Sequence, residues 1–244
     1  MFKRFSLGSV VLSGALAVLA GSAQASTITF NSSGTGTDGA LAASAVFTTS
    51  AGFLTVTLSD TLSASVIRSA GQAVSDLSFT LSNAPGTLGS ATASGQLGNV
   101  SSTGVVTYVS GSPTRFLGIG GGSFSHSGNT ITLEAIGGGQ PTQMIAPTIA
   151  NGGTYSNVNN GFQNFDPYTI GPATFTLAFS GITADTTITG ATFSFGTGPD
   201  TFLPGTPGTT PPPAVPEPSS LWLLGTGALS GAGFLRRLVA GAKA

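Results

Sequence analysis

Leu77-Ser78-Phe79-Thr80-Leu81 alternates an apolar with a hydroxyl side chain at every step. Two is the period of a β-strand, whose successive side chains leave opposite faces, so this segment sends leucine and phenylalanine to a core and serine and threonine to water. Thr130-Ile131-Thr132-Leu133 repeats the pattern. Threonine suits the wet face because its β-branch favours extended backbone while its hydroxyl stays solvated. Similar runs cover 42–49, 53–59, 74–81, 105–110, 130–135, 174–180 and 187–195, with a short one at 27–30. Turns built on Gly, Asn and Pro separate them, as at Asn83-Ala84-Pro85-Gly86, Gly120-Gly121-Gly122, Ser127-Gly128-Asn129 and Gly137-Gly138-Gly139. No helical stripe interrupts this region. The expected fold is all-β, an antiparallel β-sandwich with jelly-roll and Ig-like topologies both open.

Two stretches break the rhythm. Residues 140–171 show little strand pattern and hold Asn151, Asn157, Asn159, Asn160 and Asn164, so they read as a long loop, either functional or partly mobile. Residues 204–214 are rich in Pro, Gly and Thr and read as an extended linker excluded from any sheet.

The first 25 residues have the order of an export signal. Lys3 and Arg4 precede an apolar stretch from 5 to 20, and Ala23-Gln24-Ala25 fits the small-x-small cleavage rule. Signal peptidase would cut there and leave Ser26 as the first mature residue.

At the other end, Val215-Pro216-Glu217-Pro218 leads into an apolar run at 221–235, closed by Arg236 and Arg237. Its fifteen residues are short of the roughly 20 of a comfortable helical span, which suits a thin bilayer or a temporary anchor. Gly227 and Gly231 stand at small-xxx-small spacing, which permits close approach of another helix. The three parts together resemble the PEP-CTERM sorting signal of bacterial proteins handled by exosortase, a membrane-embedded processing enzyme. The resemblance implies that Val215, Pro216, Glu217 and Pro218 are the recognised motif, that 219–235 is a membrane helix, and that Arg236 and Arg237 are the basic stop within a tail at 236–244. It further implies a Gram-negative envelope or exopolysaccharide setting. The expected organisation is a signal peptide at 1–25, a β-sandwich passenger at 26–203, a linker at 204–214 and the sorting signal at 215–244.

Between the two signals the only cations are Arg68 and Arg115, against Asp38, Asp60, Asp76, Glu134, Asp166, Asp185 and Asp200, a net of −5. Nucleic acid is thereby excluded as a partner, since phosphate neutralisation needs clustered cations. The chain has no cysteine, which excludes disulfides, thiol nucleophiles and Cys-ligated metals.

Catalytic candidates are few. His126 is the single histidine, and its neighbours Ser123, Ser125 and Ser127 lie on the same strand-like run without a G-x-S-x-G elbow, so no Ser-His-Asp triad is expected. Glu134 is expected to face water, and Asp60, Asp76, Asp166, Asp185 and Asp200 to cap turns rather than flank a cleft. Asn157, Asn159, Asn160, Asn164 and Asp166 offer hard oxygens to calcium, though not at EF-hand spacing. Tyr108, Tyr155 and Tyr168 are candidates for a sugar-stacking platform. Gly118 to Gly122 and Gly196 to Gly198 lack the lysine and helix of a phosphate loop and read as turns. The expectation is a non-enzymatic protein without cofactor, exported to the surface or matrix. Its expected partners are the secretion machinery, exosortase, the membrane before processing, and exopolysaccharide; a carbohydrate- or calcium-binding adhesin is the alternative.

Overall fold

The computed structural model describes residues 25–198 and 201–208. Among these residues fifteen strands form two sheets, in an all-β body with three short 3-10 turns. The expected signal and membrane helices lie outside the described residues. Among the described residues no helix is long and apolar enough to cross a membrane.

Sheet A begins with a meander of β1 (Ser26–Gly36), β2 (Gly39–Ser50) and β3 (Phe53–Asp60). It continues through β12 (Ala173–Phe179) to β5 (Leu88–Ser94) and carries β15 (Thr206–Pro207) on its other edge. Sheet B is centred on β4 (Val74–Leu81), with β13 (Ile188–Phe195) and then β14 (Thr201–Pro204) along one side. The other side of β4 forks. Its 76–80 half pairs with β9 (Thr130–Glu134), which pairs with β8 (Ser123–Ser127). Its Val74 end meets β10 (Ile145–Ala146), followed by β11 (Tyr168–Ile170), β6 (Leu97–Val100) and β7 (Val106–Val109). Pairing is antiparallel apart from β10 with β11.

The alternation of the sequence becomes the two faces of each sheet. Leu41, Ala43, Ala45 and Phe47 of β2 are buried while their neighbours stay half-exposed, and Leu77, Phe79 and Leu81 of β4 are buried opposite them. The Phe47 and Phe79 rings meet across the sandwich at 4.9 Å, and Phe30 meets Phe47 edge-on at 5.9 Å. Such aromatic pairs add to the area term that holds the sheets together.

Three local expectations need correction. The first strand runs on from Phe30 to Gly36, because its polar half is paired residue by residue with β2 up to the turn at Gly36 and Gly39. Residues 140–171 do not form a loose loop: Met144, Ile145, Ala146, Tyr155, Phe162, Tyr168 and Ile170 are all buried. The linker does not begin at residue 204. Pro204 pairs with Thr192 and Pro207 with Phe30, so the chain crosses from the edge of sheet B to the edge of sheet A at Gly205. Proline is tolerated at both positions because an edge strand leaves one row of backbone groups unpaired. A Cβ at Gly205 would stand 2.9 Å from a Phe193 ring carbon and 3.2 Å from Phe30 Cβ, so this crossing requires glycine.

Candidate functional site

The outer face of sheet A is a lattice of hydroxyls. The observed register lines up Thr27, Thr48, Thr55, Thr176 and Thr92, one from each of β1, β2, β3, β12 and β5. A second row runs Thr29, Val46, Thr57, Thr174 and Ser94 across the same strands. Adjacent strands lie about 4.8 Å apart and alternate residues about 6.8 Å, so the hydroxyls repeat in two dimensions. Thr27 bonds Thr48 and Thr57 bonds Thr174, each at 3.1 Å between Oγ1 atoms. No charged residue belongs to either row. The sequence signal was a recurring hydroxyl-x-hydroxyl triplet (Thr27 to Thr29, Thr55 to Thr57, Thr92 to Ser94, Thr174 to Thr176), which only strand pairing could assemble into rows.

Sheet B carries an acidic pair on its outer face. Asp76 stands directly opposite Glu134 in the β4–β9 pair and opposite Ser194 in the β4–β13 pair. Asp76 is 8% exposed; its Oδ2 accepts from Ser75 Oγ at 3.3 Å, and its buried Oδ1 has no partner. Burial foremost, with the Glu134 charge beside it, pushes the Asp76 carboxyl up to about 6. Asp76 therefore lies mid-strand and does not cap a turn. Asp60 fits the turn expectation better: one oxygen accepts from Leu62 N–H at 2.9 Å, the other is buried without a partner, and burial holds the carboxyl well above its ordinary value. Asp166 receives Val100 N–H on both oxygens at 2.9 and 3.0 Å, and burial raises it to about 6. Asp185 is exposed in a turn, and Asp200 lies outside the described residues.

The other candidates disperse. His126 is exposed on β8 and meets Phe179 edge-on at 5.4 Å, while Ser123, Ser125 and Ser127 alternate with it along the strand and leave the opposite face. Tyr155 and Tyr168 are fully buried around Phe162, with Tyr168 stacked on it at 4.3 Å, so they offer no sugar platform. Their hydroxyls donate to the carbonyls of Pro147 and Phe162, and Tyr108 donates to Ile149 at 2.6 Å. Burial pushes both buried phenols upward. In the Asn-rich loop, Asn157 Nδ2 donates to Ser65 O at 2.6 Å, and Asp166 is engaged by Val100, so the two are already used as structural ties.

Arg115, counted in the sequence only as one of two cations, has a structural role that its local sequence does not signal. It is 5% exposed, yet among the described residues its guanidinium hydrogen-bonds no carboxylate. It donates instead to the carbonyls of Ala135, Gly120, Gly121 and Gly138 and to Thr142 Oγ1. The Gly120-Gly121-Gly122 and Gly137-Gly138-Gly139 turns are the walls of this cage. A Cβ on Gly122 would fall 1.9 Å from Arg115 O, and one on Gly137 2.4 Å from Gly121 O, so the backbones close around the cation only without side chains.

Of the expected signal residues, Ala25 and Ser26 are described, and Ser26 opens β1 opposite Thr49. Ala23, Val215, Pro216, Glu217, Pro218, Arg236 and Arg237 lie outside the described residues. Body and tail together define the class: an all-β two-sheet domain followed by a tripartite C-terminal signal. A family model described as the PEP-CTERM protein-sorting motif matches residues 214–237. The chain thus carries that sorting motif, which marks an exported protein with a membrane-anchored precursor and exosortase as its partner. No curated protein and no solved structure matches the chain.

Proposed function

We propose that this is a non-enzymatic surface or matrix protein of a Gram-negative bacterium, processed by exosortase near residues 215–218 and working among exopolysaccharide. The observation that carries the reading is the uncharged hydroxyl lattice on sheet A, joined in one chain to a sorting motif. A regular array of hydroxyls donates and accepts hydrogen bonds without the desolvation cost of charge, which suits contact with a neutral, hydroxyl-rich polymer. Two described grooves border acids, Asp38 in one and Asp166 in the other; a third, between β1 and β14, borders none. With Asp166 bound to Val100, neither acid-bearing groove presents the paired carboxylates of a glycoside hydrolase.

Retention of the secreted protein on the producer's own exopolysaccharide tests the reading. A Thr55→Lys, Thr176→Lys double variant with unchanged melting temperature is expected to lose retention. Retention no greater than that of a control β-domain would remove the proposal. Intact-mass analysis of the secreted product, with both termini trimmed, tests the processing separately.

A further inference from the structure

Strand β5 ends sheet A, and its sequence Gly89-Ser90-Ala91-Thr92-Ala93-Ser94-Gly95 reads identically in both directions. The strand bonds β12 on one side, and among the described residues no hydrogen bond reaches its other side. Gly89, Ser90, Thr92 and Ser94 are exposed. The usual protections of an edge are absent: 77–114 contains no charged residue, and β5 contains no proline. On the inner side the Thr114–Leu117 turn closes the sandwich, with Phe116 against Phe175 at 5.2 Å.

We propose that β5 is a homodimer interface, in which two copies join their A sheets by antiparallel pairing about a two-fold axis at Thr92. Each unpaired backbone donor and acceptor of the edge then finds its counterpart on the partner, as in β-strand addition. The palindrome places Thr92 against Thr92 of the partner subunit, Ser90 against the partner's Ser94, and Ala91 against the partner's Ala93. Hydroxyl meets hydroxyl and methyl meets methyl on each face. Because the axis stands perpendicular to the sheet, the row ending at Thr92 continues into the same row of the partner, doubling the hydroxyl lattice. Two bodies that each carry net negative charge approach where neither is charged. The pairing is isologous, and the opposite edge of sheet A is β15, blunted by Pro207, so growth along this sheet stops at two.

Since the natural chain has no cysteine, single cysteines report the register in the full-length chain expressed in its own host. Thr92→Cys is expected to run at twice the monomer mass on a non-reducing gel. Thr57→Cys, on the same face but in the sheet interior, is expected to stay monomeric. Ser90→Cys and Ser94→Cys are each expected to stay monomeric alone and to cross-link when co-expressed. A Thr92→Cys chain that cross-links no more than Thr57→Cys overturns the proposal, and so does cross-linking of Ser90→Cys alone. Differently tagged Thr92→Lys and Thr92→Glu chains give a second readout independent of oxidation. Each should fail to capture itself and should capture the other; equal capture in all combinations overturns the interface.

Discussion

At the scale of single residues, Asp76 and Asp166 carry an energetic sign opposite to that of a salt-bridged acid. Both are raised to about 6 from an ordinary value of 3.8, chiefly by burial. The folded state therefore binds their protons more tightly than the unfolded chain. Their contribution is fully present below the unfolded value and disappears as pH rises through about 6. Melting temperature should accordingly be higher near pH 4.5 than near pH 7.5, a window of about three units. Asp76→Asn, which removes the charge but keeps the shape, should raise stability at neutral pH and flatten the profile; calorimetry across that range checks both. Arg115 sets a second test. Lysine keeps the charge but loses the planar fork that serves four carbonyls and a hydroxyl, so Arg115→Lys should cost about 2–4 kcal/mol. Denaturant titration measures it, and an unchanged midpoint would contradict the cage.

At the scale of elements, strands whose inner face holds large apolar residues were legible in the sequence. The run at 74–81 coincides with β4, and those at 53–59 and 130–135 lie within one residue of β3 and β9. Strands without such a face were not. The inner face of β5 rests on Leu88, Ala91 and Ala93, and β10 and β11 are two and three residues long and buried on both sides, so no alternation marks them. Tertiary pairing also overrode composition at 204–207, where proline and glycine suggested the start of a linker and the edges of two sheets claimed the residues. The Gly205 crossing makes this testable: Gly205→Val drives a branched side chain toward Phe193 and Phe30 and should cost about 1–3 kcal/mol. Limited proteolysis should then release the chain beyond Leu203 faster than in the parent protein.

For the whole molecule, the sequence carried the fold class and the routing motif, because both are written in local order. The candidate surface was not legible. Hydroxyl triplets on four strands, with Thr48 of β2 between them, become a lattice only through pairings between residues as distant as Thr55 and Thr176, and Asp76 met Glu134 only through the β4–β9 register. Arg115 was hidden for the same reason, since its carbonyl partners come from two loops separated by β8 and β9.

The short strand β15 has a geometric consequence for processing. It runs antiparallel to β1, and Gly208 N–H reaches back to Thr29 O at 2.7 Å, so the body's exit lies a few residues from its entrance. Ser26 and Gly208 lie at one pole of the body, with the Thr37–Asp38 bend at the other end of the β1–β2 hairpin. Under the proposed processing, cuts on either side of the body would fall near one pole, so enzymes in a single bilayer could reach both without the body somersaulting.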